Sequence, residues 1–136
     1  MLGHLGVNVA ELAAAKRYDD QLMPLLGFTE FVSADDEFAY RPADGKPGAH
    51  LFFYQSAEPS TYSRHQTGLR HLAFMVKRRG LVDDVHRAVG ELVPRFGGQV
   101  LHAPRTFPEY PPPYYATFWL DPSGFMLEAV CHHDRD

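Results

Sequence analysis

A chain of 136 residues, 45% hydrophobic and 22% charged, has the length and composition of one ordinary globular domain with a core to bury. Its formal net charge is −4, and its 13 Lys and Arg residues form no cluster longer than the KRR at 77–79, which excludes a phosphate-tracking surface and makes nucleic acid an unexpected partner. The single cysteine, Cys131, can form no internal disulfide, and no apolar run approaches the roughly 20 residues that a membrane-spanning helix needs. The opening MLGHLGVNV has no basic flank followed by a long apolar segment, so the expectation is a cytoplasmic protein with no membrane partner.

In chain order, LGVNV after His4 reads as a short strand, followed by an amphipathic helix near 10–26 with Leu12, Ala15, Leu22 and Leu25 on a shared face. Pro24 ends or kinks its last turn. After Gly27 come three strand-like pieces, FTEFV, EFAYR and AHLFFYQ, separated by Asp, Pro and Gly punctuation such as PADGKPG. From His71 the same order returns: LAFMV, a helix near 80–95 carrying Leu81, Val85, Val89 and Leu92, then GGQVL, YYATFWL and FMLEAVC. The pattern is β-α-β-β-β twice, an internal repeat. The expected fold is α+β: one domain over 1–136 built from two modules, 4–55 and 70–131, whose curved sheets enclose a cup and are each backed by a helix. Two segments break the symmetry. SAEPSTYSRHQTG at 56–68 reads as the linker between halves, and HAPRTFPEYPPP at 102–113 as a proline-rich loop.

The repeat also organises the chemistry. His4 and His71 stand 67 positions apart at equivalent strand starts. Aligning the last strands on Gly48 and Gly124 pairs GAHLFFYQ with GFMLEAVC without a gap and sets Glu128 opposite Phe52. Side chains alternate across a strand, so His71 shares a face with Ala73 and Met75, and His4 with Gly6 and Asn8. Glu128 lies with Met126 and Val130, an apolar setting in which an unpartnered carboxylate is costly. Two imidazoles and a carboxylate on three strands form the facial set that holds one divalent metal, iron, manganese, zinc or nickel, with positions left open for substrate. A histidine at a strand start is by itself more often a surface or core residue; the duplication singles these two out.

HLGVNV, the GF after the first helix, RHLAFMV, the GG after the second helix and FWLDPSGFMLEAV together resemble the vicinal oxygen chelate superfamily of glyoxalase I, bleomycin resistance proteins, fosfomycin-modifying enzymes and extradiol dioxygenases. The resemblance spans nearly the whole chain, and APRTFPEYPPPYYATFWLDPSGFMLEAVCH looks most like a bacterial glyoxalase-like subgroup. It places the metal positions on His4, His71 and Glu128, the same three residues. It also implies a homodimer. Glyoxalase I carries a carboxylate or glutamine on the last strand of the first half, where this chain has Phe52. His50, two residues away on the same face, is the substitute if the register differs.

Other residues have plainer readings. DPSG at 121–124 is a β-turn, so Asp121 is not a site residue. Tyr114 and Tyr115 follow the proline-rich loop, and one of the two is expected in the pocket wall, with Tyr54, on the face of Phe52 and His50, as a lesser candidate. His86, His132 and His133 read as solvated, and Cys131 as a buried apolar residue. His102 and Tyr115 are the acid or base candidates; spacing selects neither. Function narrows to a metal-dependent lyase, isomerase or dioxygenase acting on a small oxygenated substrate. The alternative is a metal-free protein that sequesters an antibiotic or metabolite. A fosfomycin-type transferase ranks last, since no basic phosphonate-binding set is visible.

Overall fold

The computed structural model describes residues 1–134 and 136. Met1–Thr61 and Tyr62–Asp136 form two compact units, each with one four-stranded sheet and one long helix. The first unit runs β1 (His4–Val9), α1 (Leu12–Leu22), β2 (Phe28–Ser33), β3 (Glu37–Pro42), a 3-10 turn at Ala43–Gly45, and β4 (His50–Gln55). The second runs β5 (Leu72–Met75), α2 (Arg79–Phe96), β6 (Gln99–Thr106), β7 (Tyr115–Leu120) and β8 (Met126–Cys131). Sheet order is β1-β4-β3-β2 in one and β5-β8-β7-β6 in the other. In both, the first strand pairs in parallel with the last and the remaining pairs are antiparallel. The repeated β-α-β-β-β plan expected from the sequence is therefore the fold of each unit.

Local chemistry explains the boundaries. The α1 segment LAAAKRYDDQL is made largely of helix-favouring residues. Its first turn is capped from a distance: Leu12 N–H donates to Gln55 Oε1 at 3.1 Å, and Gln55 Nε2 donates to the Ala10 carbonyl at 2.7 Å. The helix stops at Leu22, short of the expected span, because Pro24 cannot donate a ladder hydrogen bond and the Phe28 N–H folds back to the Met23 carbonyl. In α2 the buried positions are Val82, Val85, Val89 and Leu92, a helical stripe that places Val82 in the core where Leu81 was expected. Burial of each valine is worth about 1.5–3 kcal/mol against exposure. Gly97 and Gly98 then turn the chain into β6. A side chain at Gly98 would bring its Cβ within 2.4 Å of the Leu120 carbonyl oxygen, so the position needs glycine.

One element departs from expectation. β6 extends to Thr106, so HAPRT is strand rather than the start of a loop. The register shifts between Val100 and His102 and again between His102 and Arg105. Pro104 falls in the second irregularity, where the strand needs no ladder donor.

Each sheet buries one face under its helix. Phe38 and Phe53 stack at 4.8 Å between ring centres in the first unit, while Trp119, Leu127 and Ala129 lie buried in the second. By alternation the opposite faces carry His4, Gly6, Phe52 and Tyr54 in the first unit, and Ala73, Glu128, Phe118 and His102 in the second.

Candidate metal centre

Strand register tests the internal alignment directly. Gly6, two residues after His4, pairs with Phe52, and Ala73, two residues after His71, pairs with Glu128. Phe52 is thus the structural counterpart of Glu128. His50 pairs with His4 itself, so no shift in register brings it to that place.

In the second unit, Glu128 is only 1% exposed although it lies on the face opposite α2. Both of its oxygens are engaged. Oε1 stands 3.5 Å from Nε2 of His71, and Oε2 accepts a hydrogen bond from the Tyr114 hydroxyl. His71 sits one residue ahead of β5, half-buried, and its Nδ1 is buried without a hydrogen-bond partner among the described residues. Burial pushes the Glu128 carboxyl above its ordinary range, opposed by the Tyr114 hydroxyl and then by His71 and His132. The Tyr114 hydroxyl is raised in turn, first by burial and then by its bond to Glu128.

Phe118 pairs with Glu128 on one side and with His102 on the other, forming a row across three strands. The ring centre of Phe118 lies 6.5 Å from His71 and 5.6 Å from His102. His102 itself is exposed.

The two adjacent tyrosines part company. Tyr114 is the one on the Glu128 side. Tyr115 turns toward α2: its hydroxyl donates to Asp83 Oδ1 at 2.7 Å, and the Arg79 guanidinium lies 5.2 Å from its ring centre. Burial and then Asp83 push the Tyr115 hydroxyl up to about 12. It pairs with Cys131 and alternates off the Glu128 face, so neither a pocket-wall role nor an acid–base role beside Glu128 follows from its position.

In the first unit His4 is exposed and meets Phe52 edge-on at 5.6 Å. His50 meets Phe31 edge-on at 5.1 Å, and the Phe52 and Tyr54 rings stack at 6.3 Å. Phe31 and Tyr54 are 45% and 36% exposed. This face is aromatic where its counterpart is acidic.

Two features escaped the sequence. Tyr114 engages the carboxylate itself, and His132, exposed as expected of a tail residue, also packs edge-on against Tyr114 at 5.1 Å. The signal lies in the register: Tyr115 opposite Cys131 brings their neighbours Tyr114 and His132 together. Asp121 behaves as expected of a turn residue, its Oδ1 accepting the Ser123 and Phe125 N–H groups. Cys131 is fully buried.

No protein-family model and no curated protein matches the chain. Among solved structures, a protein from Bacillus halodurans described as a "putative glyoxalase" is 30% identical, with a TM-score of 0.77 over 96% of this chain and 95% of that one. The chain belongs to the vicinal oxygen chelate superfamily. A glyoxalase/bleomycin resistance protein from Albidiferax ferrireducens T118 has the same fold at 22% identity and a TM-score of 0.74, covering 98% of this chain and 99% of the other. So does a fosfomycin resistance protein from Mesorhizobium loti, at 20% identity and a TM-score of 0.62, covering 98% and 93%.

Metal dependence is typical of this superfamily, and the second unit meets the chemical requirement for a share of such a site. Two donors each about 2.1 Å from one ion at right angles stand about 3 Å apart, close to the 3.5 Å between His71 Nε2 and Glu128 Oε1. Among the described residues, no group of three or more His, Cys, Asp or Glu side chains is gathered. What the second unit gathers is a pair.

Proposed function

We propose that the chain is a metal-dependent enzyme, a lyase, isomerase or dioxygenase, acting on a small oxygenated substrate. The observation that carries this reading is Glu128: a carboxylate kept 1% exposed on an apolar strand, with one oxygen turned to an imidazole nitrogen. Such burial is costly, and structural roles are commonly served by apolar residues of similar size. His71 and Glu128 are the donors supplied by the second unit. His4 is assigned as the third on the repeat alone, since it begins β1 as His71 precedes β5. A divalent ion held by this set supplies Lewis acidity toward neighbouring oxygens of the substrate. Phe118 offers an apolar floor beside the donors, and His102, beyond it, is a polar group within the same row.

Stripping and reloading the protein with iron, manganese, zinc or nickel salts, followed by elemental analysis, tests the reading. About one ion per chain is expected, and His71→Ala should lose most of it because two ligands rarely suffice. Equal metal content in both proteins contradicts it.

A second reading, a metal-free protein that sequesters a flat apolar ligand, draws on the stacked Phe52 and Tyr54 rings and the exposed Phe31. The same metal analysis separates the two. We also propose a homodimer, because β1, β2, β5 and β6 are sheet edges within their units. Light scattering that gives the 15.4 kDa mass of a single chain would count against it.

A further inference from the structure

A carboxylate bound through one oxygen and a carboxylate bound through two present different charge and geometry to an ion, so whatever occupies the second oxygen decides which is offered. Glu128 offers Oε1 toward His71, and Oε2 is taken by the Tyr114 hydroxyl. That hydroxyl is not free to swing away. The Tyr114 ring is held by Tyr110 at 4.8 Å, His132 at 5.1 Å and Phe107 at 6.1 Å between centres. Its backbone is fixed as well, because the Phe107 N–H donates to the Tyr114 carbonyl at 2.9 Å and closes the proline-rich loop at its base. Phe107 is 5% exposed and belongs to a buried cluster with Ala116, Phe118 and Val130. The loop is therefore anchored in the sheet on one side and delivers one phenol on the other.

We infer that Tyr114 is a positioning residue for Glu128: its hydroxyl occupies Oε2, so the carboxylate serves a metal through Oε1 alone, beside His71 Nε2, and the loop at 107–113 holds that hydroxyl in place. This rests on the metal-binding reading given above. Outer-shell partners of metal ligands orient them and tune their basicity, and losing one lowers metal affinity about 10- to 100-fold.

The test is a titration of the stripped full chain with cobalt(II) chloride against a chromophoric chelator, read both as affinity and as the visible d–d spectrum of the bound ion. Tyr114→Phe keeps the ring and its packing and removes only the hydroxyl. It should still bind about one ion, with affinity lowered about 10- to 100-fold and an altered cobalt spectrum as Oε2 becomes available. Tyr115→Phe also removes a hydroxyl bonded to a carboxylate, that of Asp83 on the helix side, and should leave affinity and spectrum as in the wild type. A Tyr114→Phe protein with wild-type affinity and spectrum overturns the inference and leaves the metal reading standing. A wild type that takes up no cobalt overturns both. Should Tyr114→Phe lose its native circular dichroism, Phe107→Leu loosens the packing around Tyr114 and keeps its hydroxyl. A several-fold weaker affinity with the spectrum shifted supports the inference, and no change overturns it.

Discussion

The two units share one backbone plan and differ most at a single matched position. Phe52 on β4 and Glu128 on β8 hold the same place in the ladder, each opposite the residue two beyond a histidine. Around Phe52 the open face is a set of aromatic rings with Phe31 and Tyr54 partly in solvent. Around Glu128 it is a polar triad of a buried carboxylate with a half-buried phenol and a half-buried imidazole. The duplication preserved the position and not its chemistry. One half keeps its histidine beside rings; the other keeps its histidine beside a charge.

Removing the difference gives the largest expected effect. Glyoxalase I resembles this chain and carries a carboxylate or glutamine where Phe52 stands. Conversion of the methylglyoxal–glutathione adduct is therefore expected to be absent or feeble, and Phe52→Glu should raise it, since positioned acid–base groups contribute about 100- to 10,000-fold. Robust conversion by the unmodified chain would break the comparison.

The turns that feed these matched strands provide a smaller test. Both turns contain a glycine at positive φ, Gly48 at 148° and Gly124 at 90°. The first reaches β4 through a 3-10 turn, whereas the second is closed by a buried aspartate. Burial raises the Asp121 carboxyl from its ordinary 3.8 to about 6, against the pull of three backbone N–H groups. Because the folded value is the higher one, the stability this group contributes is complete below about pH 4 and lost as pH rises through 6. The shift corresponds to at most about 3 kcal/mol. Asp121→Asn keeps an oxygen for the Ser123 and Phe125 N–H groups without a charge. Denaturant unfolding should show it gaining on the wild type between pH 4.5 and 8. A difference that does not vary with pH would show that Asp121 is not strained by its charge.

Much of this was legible in the sequence because duplication repeats every signal. The strand and helix order of both halves, the equivalence of His4 with His71 and the need of Glu128 for a partner all followed from spacing and polarity. The partner's identity did not. Whether Tyr114 or Tyr115 faces the carboxylate depends on the residue at which β7 begins its alternation, and that is set by the loop closing through the Phe107 N–H. The length of β6 was hidden for a related reason: Pro104 reads as a breaker unless the register shift that accommodates it is known. His132 is exposed, as expected, and its contact with Tyr114 was hidden because that partner lies 18 residues earlier in the chain.

Whether the carboxylate at 128 serves a metal is read from a titration with manganese(II) that follows the free ion by its paramagnetic resonance signal. Glu128→Gln keeps the side chain's size and an oxygen for the Tyr114 hydroxyl and removes the charge. The wild type is expected to take up about one ion per chain with a clear end point, and Glu128→Gln to lose most of that binding. Superimposable titration curves for the two proteins would mean that Glu128 holds no metal.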